Sequence, residues 1–192
     1  MSDFPQMIDC KGTAIELRLF APGDMAAVEA FAATVPVHDL LFLGRDIQHP
    51  KVIRAWAESI VEGDIVSLLA WAGNSVVGTS AIVRDRLSWS PHVAELRLLV
   101  SEDMRGVGLG RAMLHHSFAQ AIDNGAEKLI ARMTPDQKGA ILMFEEMGFR
   151  GEALLRDHVR ERDGSLHDLA IFSLNVGRIG ASHGAYGFSD VY

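Results

Sequence analysis

Three glycines alternate with other residues in the turn Arg105-Gly106-Val107-Gly108-Leu109-Gly110, which follows an apolar run ending at Val100. Glycines let the backbone approach a ligand closely, and the free N–H groups at the start of a helix point at a bound anion. The side chains of Arg105 and Arg111 can add charge-assisted hydrogen bonds if they turn inward. The turn therefore predicts a pocket for a pyrophosphate group.

Other interpretations of the same glycines stay open, because glycine clusters also mark plain turns and close helix packing. The Walker pattern is absent, since no Gly-Lys-Ser or Gly-Lys-Thr follows the turn. The dinucleotide fingerprint needs a Gly-x-Gly-x-x-Gly spacing, which Gly106, Gly108 and Gly110 do not give. Both of these nucleotide-binding interpretations lose support.

Hydrophobic periodicity around the turn predicts one α+β domain. The predicted strands are 15–19, 65–72, 75–85, 93–100, 128–133, 152–160 and 167–175, and the predicted helices are 24–34, 50–63, 109–124 and 136–147. This order gives a mixed, mostly antiparallel twisted sheet of about seven strands flanked by about four helices, with one parallel crossover. Residues 1–13 are predicted to be an N-terminal tail, 14–176 the single domain, and 177–192 a Gly-rich C-terminal tail.

The turn resembles the signature of the GNAT superfamily of acyl-CoA N-acyltransferases, in which Gln or Arg is followed by two residues, Gly, one residue, and Gly or Ala. Arg105, Gly108 and Gly110 occupy these positions. A second stretch, Phe144-Glu145-Glu146-Met147-Gly148-Phe149, is similar to the Tyr-Glu-x-x-Gly-Phe ending that is common in the family. The resemblance covers roughly residues 15–175.

The resemblance implies acetyl-CoA as co-substrate and a GNAT-like fold, in which the central parallel strand pair is splayed. The pantetheine arm would pair with the strand that ends at Val100, and the acyl group would lie in the gap beside it. Gln137 stands where relatives often have an Asn that contacts pantetheine, although a surface glutamine at a helix start is an equal alternative. The implied cofactor-binding residues are Leu98, Leu99, Val100, Arg105, Gly106, Val107, Gly108, Leu109, Gly110, Arg111, Gln137 and Phe144.

Glu95 is the candidate general base, because several family members place a glutamate on the central strand at this distance from the turn. It would remove the proton from an attacking amine, often through water. The alternative is that Glu95 faces solvent or pairs with Arg97, since residues i and i+2 share one face of a strand. A backbone N–H near Leu99 or Val100 would stabilise the oxyanion.

Phe144 occupies the position at which many relatives have a tyrosine that protonates the leaving thiolate. A phenyl ring cannot donate a proton, and the two tyrosines of the chain, Tyr186 and Tyr192, are in the C-terminal tail. Because a free thiol has a pKa of about 8.5, unassisted departure of the thiolate is favoured. Water, His158 or the tail is the alternative donor.

Acidic residues of the terminal hairpin and an apolar stretch before the second helix are candidates for the acceptor site. The hairpin looks like one that is common among bacterial-type members, and Asp157 or Asp168 would attract a cationic amine there. A solvated hairpin with cross-strand ion pairs is the alternative. Residues 40–43 lie in the region that relatives use to cover the acceptor, or are ordinary core.

Composition excludes several classes of partner. The chain has 192 residues and a formal charge of -7, the wrong sign for binding nucleic acid. A single cysteine, Cys10, permits no intrachain disulfide and fits a cytoplasmic location. No apolar run approaches the roughly 20 residues that span a bilayer, so no membrane contact is expected. His115 and His116 would point apart on a helix and the other histidines lack paired spacing, so no metal site is predicted.

These residues together predict transfer of an acetyl group from acetyl-CoA to a primary amine by direct attack in a ternary complex. The acceptor would be a small-molecule amine or the lysine or N-terminus of a protein, and a homodimer is possible in this family. The alternative is an acyl-CoA-binding sensor or regulatory module without turnover, which Phe144 favours. Binding of a nucleotide other than coenzyme A is a third interpretation.

Overall fold

Eight strands form one mixed sheet in the computed structural model, which describes residues 4–177. The strands are β1 Gln6–Cys10, β2 Thr13–Leu19, β3 Ile65–Ala72, β4 Ser75–Val83, β5 Val93–Val100, β6 Lys128–Met133, β7 Arg150–Arg160 and β8 Leu166–Asn175. The helices are α1 Met25–Thr34, α2 Pro50–Glu62, α3 Leu109–Asp123 and α4 Lys138–Glu146, and short 3-10 helices cover Pro22–Asp24, Val37–Leu43 and Glu102–Met104. The strand order is β1-β2-β3-β4-β5-β6-β8-β7, so the predicted mixed, mostly antiparallel sheet is confirmed.

The sheet has one strand more than predicted, because β1 forms within the segment that was expected to be a tail. It pairs antiparallel with β2, with Ile8 opposite Ile15 and Cys10 opposite Thr13. Five residues give too short an alternation to stand out in a sequence, and β1 is an edge strand whose partner supplies most of its hydrogen bonds. The predicted C-terminal tail lies outside the described residues, apart from Gly177.

The central parallel pair separates part-way along its length. Residues of β5 pair with β6 only as far as Glu95, which lies opposite Ile130. Beyond this point β5 continues to pair with β4 as far as Val100. Strand β6 meanwhile continues to pair with β8 as far as Met133. The predicted splayed pair is therefore present, and the two diverging strands leave a gap in the middle of the sheet.

Hydrophobic clusters cover both faces of the sheet. Leu99 of β5 belongs to the core under α1 and α2, whereas Leu96 of the same strand belongs to the core under α3 and α4. Alternation along β5 explains this division, because successive side chains of a strand point to opposite faces. Phe149 and Leu129 are completely buried in the second core, and burial of each contributes about 1.5–3 kcal/mol. The gap thus lies between the two packed layers on the faces of the sheet.

Candidate active site

A cleft of about 970 Å³ runs from the gap between β5 and β6 to the start of α3. Every cofactor-binding residue predicted from the sequence lines this cleft except Leu109. The side chain of Leu109 is completely buried beneath the loop and anchors the first turn of α3 to the core. The cleft is also lined by residues that were not predicted to bind the cofactor: Lys11, His38, Asp39, Phe42, Leu96, Met104, Arg132, Met133, Asp136, Lys138, Gly139, Ala140 and Met143.

The turn that is predicted to bind phosphate, which we call the phosphate loop (105–111), exposes the start of a helix to the cleft. Gly108 is the N-cap of α3, has a φ of 95° and provides no side chain to cap the helix. The first N–H groups of α3 therefore have no acceptor within the helix. A Cβ atom built on Gly108 would meet no described atom within 4 Å, so the loop borders open space. Free amides beside open space fit a bound diphosphate.

Gly110 has a different role from Gly108 in the same turn. A Cβ atom at Gly110 would lie 3.4 Å from Sδ of Met143 and 3.7 Å from a methyl group of Val100. These are ordinary van der Waals distances, so an alanine would also fit here, in agreement with a signature that accepts Gly or Ala at this position. Of the two glycines, only Gly108 has a positive φ that favours glycine.

The guanidinium groups of Arg105 and Arg111 bind carboxylates. Nη2 of Arg105 lies 2.7 Å from Oδ2 of Asp39, and its Nε lies 3.4 Å from the carbonyl oxygen of Val100. Arg111 forms an ion pair with Glu146 across the exposed ends of α3 and α4. Both side chains border the cleft, but in this structure their charge is shared with acidic neighbours. The predicted binding of an anion by the loop would therefore depend first on its amides.

Lys11 is a residue of this site that the sequence did not reveal. It lies in the turn between β1 and β2, and its Nζ donates a hydrogen bond to the carbonyl oxygen of Gly106 at 2.8 Å. A lysine in a turn carries no pattern that points to a loop 95 residues away. The N-terminal hairpin thus brings a positive charge to the phosphate loop.

The edge of β5 that faces the gap presents backbone hydrogen-bonding groups. The N–H of Ser101 donates to Val77 at 2.9 Å, toward β4. Because backbone groups in an antiparallel ladder alternate in direction, those of Val100 and Leu98 point the other way, into the gap. An extended ligand with amide groups can pair with such an edge.

Glu95 lies at the point where β5 and β6 separate, and it does not line the large cleft. Its carboxylate is buried and accepts hydrogen bonds from Nε and Nη2 of Arg97 at 3.0 and 3.1 Å. Nη2 of Arg132 lies 3.7 Å from the same carboxylate. The pairing with Arg97, left open by the sequence, is therefore present.

A second cavity of about 410 Å³ lies on the opposite side of β5, under α2. Thr79, Ala81 and Arg97 line it, and they share the strand face on which Glu95 lies. Leu98 and Leu99 line both cavities. The two cavities therefore approach each other at the end of β5.

Phe144 and Gln137 both border the cleft from α4. The ring of Phe144 is buried and makes an edge-to-face contact with Phe149 at 5.0 Å between centroids. Oε1 of Gln137 accepts a hydrogen bond from the N–H of Thr134 at 3.2 Å, which leaves the amide nitrogen free to donate. His158, a candidate proton donor, is exposed on β7 and is not among the lining residues of either cavity.

The 3-10 helix Val37–Leu43, which we call the roof helix, spans the gap. Its apolar side chains Leu40, Phe42 and Leu43 are buried in the core that also contains Leu99 of β5 and Leu169 of β8. Asp39 pairs with the phosphate loop, as described, and Nε2 of His38 lies 2.6 Å from Oδ2 of Asp136 on the other side. The roof helix thus forms ion pairs with residues on both sides of the cleft.

Electrostatic contacts shift the pKa values of His38 and Asp136 in opposite directions. Burial lowers the pKa of His38, but hydrogen bonds to Asp136 and Glu161 more than offset it, so the pKa is raised. Burial raises the pKa of Asp136, but contacts with Thr134 and His38 outweigh this and the pKa is lowered. The pair is therefore stabilised in its charged form. None of these residues was predicted, because they come together only in the fold.

A sequence model described as the acetyltransferase (GNAT) family matches residues 37–149, more than half of the chain. The matched range contains the phosphate loop, both separating strands and the Phe144 motif. The chain belongs to the GNAT acetyltransferase family. The family prediction from Arg105, Gly108 and Gly110 is confirmed, and the wide cleft is the candidate active site.

Solved GNAT structures share this fold at low sequence identity. A GNAT-family acetyltransferase from Streptococcus pneumoniae is 18% identical, with a TM-score of 0.72 over 84% of this chain and 99% of that chain. Spermidine N-acetyltransferase from Vibrio cholerae, solved with CoA and spermine, is 12% identical, with a TM-score of 0.70 over 85% of this chain and 96% of that chain. Ribosomal-protein-S5-alanine acetyltransferase from Vibrio fischeri is 12% identical, with a TM-score of 0.71 over 90% and 97%. These similarities show the fold. Within residues 4–177, no helix has the length and apolar character to cross a membrane.

Proposed function

We propose that this GNAT protein transfers an acetyl group from acetyl-CoA to a primary amine by direct attack in a ternary complex. The observation that carries the proposal is the end of β5–β6 pairing at Glu95 and Ile130, beside a cleft that continues to the phosphate loop. One continuous space therefore offers a free strand edge for an extended amide-containing arm and free helix amides for its diphosphate. Coenzyme A has both parts in this order.

The residues present suit acetyl-CoA as co-substrate. The amides from Val107 to Arg111 would take the diphosphate, and the gap-facing groups of Leu98 and Val100 would pair with the pantetheine arm. The N–H of Val100 is the candidate stabiliser of the oxyanion, because it points into the gap at the end of the free edge. Acetyl-CoA supplies an activated thioester, and the protein supplies position and polarity.

The acceptor would enter through the smaller cavity under α2. Leu98 and Leu99 separate it from the large cleft, so an amine there would reach the end of β5 from the face opposite α3. The fold neighbours include enzymes named for spermidine and for a ribosomal-protein alanine, which supports an amine acceptor of either size. We leave the choice between a small amine and a protein amine to a substrate screen.

Glu95 is the proposed general base for this reaction. Arg97 orients the carboxylate by binding both oxygens, and each oxygen keeps a lone pair that can accept a proton through water. Glu95 shares a strand face with Thr79 and Ala81, which line the smaller cavity, and this supports a role near the acceptor. Phe144 supplies no proton, so we propose that the thiolate leaves unassisted.

The direct test is thiol release from acetyl-CoA in the presence of a panel of amines and peptides. We expect amine-dependent release by the wild type and a fall in kcat of about 10²–10⁴ in the Glu95→Gln variant, the range of general-base contributions. Glu152→Gln, on the exposed strand β7, is the matched control and should retain activity. An unchanged rate and pH dependence in Glu95→Gln would show that Glu95 is not the base.

The second candidate function is an acyl-CoA sensor without turnover, which the buried ring of Phe144 favours. Tight binding of acetyl-CoA by calorimetry, with no thiol release over a broad acceptor panel, would decide for it. Phe144→Tyr tests the departure of the thiolate separately. If the thiolate leaves unassisted, this change should alter kcat less than about threefold, since a thiol with a pKa of about 8.5 gives a leaving group that needs no proton donor.

A further inference from the structure

A cluster of two histidines and two carboxylates joins the roof helix to the terminal hairpin. His38 comes from the roof helix, Glu161 from the β7–β8 turn, His167 from β8 and Asp136 from the loop before α4. One ligand atom from each of His38, Glu161 and His167 lies within 4.8 Å of the other two. We call these residues the histidine cluster.

Two distances between donor atoms in the cluster are similar to the distance between neighbouring ligand atoms around a tetrahedral metal ion. Oε2 of Glu161 lies 3.3 Å from Nδ1 of His38 and 3.2 Å from Nε2 of His167. Zinc–nitrogen and zinc–oxygen bonds of about 2.0–2.2 Å give a tetrahedral edge of roughly 3.3–3.5 Å. Two of the three donor–donor distances therefore match those around one zinc ion, and the third, between His38 and His167, is at most 4.8 Å.

The second nitrogen of His38 is held by Asp136. Nε2 of His38 lies 2.6 Å from Oδ2 of Asp136, so a neutral imidazole places its proton there. Nδ1 then faces the carboxylate oxygen of Glu161 at 3.3 Å, where the contact is favourable either with the proton of a charged imidazole or with a metal ion bound by both atoms. A carboxylate on the outer nitrogen is also the usual partner of a metal-binding histidine.

Access and ligand chemistry both suit an ion. The side chains of His38, Glu161 and His167 are 30%, 22% and 28% exposed. Most of each side chain is therefore packed against the protein, while an ion from solvent can still reach it. Two imidazoles and one carboxylate are a ligand set that zinc uses with a fourth position left for water. Oγ of Ser165, 3.0 Å from Nε2 of His167, lies beside the same nitrogen.

We propose that His38, Glu161 and His167 form a binding site for a divalent transition metal ion, zinc being the best match, with Asp136 orienting His38. The ion ties the roof helix to the β7–β8 hairpin at the edge of the active-site cleft. The proposal differs from the expectation, drawn from spacing along the chain, that no metal site is present. His38 and His167 are 129 residues apart in the sequence, so no local motif indicates that they form one site.

Calorimetric titration of the full chain with zinc chloride tests the proposal and needs neither acetyl-CoA nor an amine. The protein is freed of any affinity tag and treated with EDTA before titration. We expect one equivalent of zinc to bind, with affinity reduced at least about 100-fold in His38→Ala, His167→Ala and Glu161→Gln, and about 10–100-fold in Asp136→Asn. His158→Ala, on the exposed face of β7, is the matched control and should bind as the wild type does.

Two further measurements keep the outcome clear if a variant is poorly folded. Cobalt added to the wild type should give the visible absorption of a tetrahedral nitrogen–oxygen site, and zinc should raise the Tm of the wild type but not of Glu161→Gln. The site would be overturned if the wild type bound less than one equivalent of zinc. It would also be overturned if His38→Ala and His167→Ala bound zinc with the same affinity as the wild type. The cation between Nδ1 and Oε2 would then be a proton, and the acyl-transfer proposal would be unaffected.

Discussion

The phosphate loop and the histidine cluster both reach the wide cleft, the cluster through His38 and Asp136, but they are built in different ways. The loop is one contiguous stretch, 105–111, whose function depends mainly on backbone conformation and on the start of α3. The cluster collects single side chains from four separate segments of the chain. A contiguous backbone site can be recognised from sequence, whereas a site that the fold assembles cannot. The predictions below test this difference, from the largest expected effect to the smallest.

Gly108→Ala should weaken acetyl-CoA binding by about 100-fold. The residue has a φ of 95°, where a side chain strains the backbone by roughly 1–2 kcal/mol, and its Cβ would project into the space beside the free amides. Any relaxation of the loop turns those amides away from the diphosphate. Calorimetry with acetyl-CoA measures the affinity, and thermal unfolding measures the stability.

Gly164→Ala is the matched control for this change. Gly164 has a φ of 94°, and a Cβ there also meets no described atom within 4 Å, but it lies in the β7–β8 turn. Both variants should therefore lose similar stability, and only Gly108→Ala should lose affinity. If Gly108→Ala is folded and binds acetyl-CoA normally, the loop is not the diphosphate site.

The sequence predicted most of the fold because its signals are local. Alternation of Ile15, Leu17 and Leu19 marks β2, and Gly73-Asn74 marks the turn between β3 and β4, as the structure confirms. The separation of β5 from β6 came from family resemblance, since apolar residues along both strands do not show where pairing ends. Strand β1 was missed because an edge strand of five residues has little pattern of its own.

Only the part of the candidate site that is formed by backbone groups could be predicted from the sequence. Arg105 and Gly108 identify the loop by spacing, but the sequence did not show that the Arg105 guanidinium pairs with Asp39. Lys11 and His38 reach the cleft through strand pairing and through the position of the roof helix. Such contacts depend on long-range packing, which residue types at a given spacing do not encode.

Lys11→Met should weaken acetyl-CoA binding by about fivefold. The ammonium group supports the carbonyl of Gly106 and places a positive charge on the cleft, but it is exposed, so its contribution is about 1 kcal/mol. The loss should shrink at high salt, because screening weakens exposed charges. Calorimetry at low and high ionic strength measures both effects, with Lys51→Met on α2 as the control. Equal affinity in the two variants would remove the N-terminal hairpin from the site.

A double-mutant cycle on Asp39 and Arg105 should give a coupling free energy of about 0.5–1 kcal/mol. The two side chains are 21% and 47% exposed, which places this ion pair among the weak, partly screened ones. The cycle uses Asp39→Asn, Arg105→Met and the double variant, with free energies of unfolding from urea titrations. Simple additivity would mean that the roof helix and the phosphate loop are energetically independent, despite the 2.7 Å contact.

The smallest effect concerns Asp46. This residue follows the roof helix and forms an ion pair with Arg162 of the terminal hairpin. Burial raises the pKa of Asp46, but the hydrogen bonds from Arg162 and from the Gln48 amide outweigh it, and the pKa is lowered. A carboxylate with a lowered pKa stabilises the fold above its unfolded pKa of about 3.9, and this stability is lost as the pH falls through the folded value. The wild type should thus be more stable than Asp46→Asn at pH 6 by less than about 1 kcal/mol, because the pair is exposed. Urea unfolding at pH 6 and pH 3 should show this difference shrinking in acid, and a constant difference would mean that the ion pair with Arg162 does not hold the hairpin.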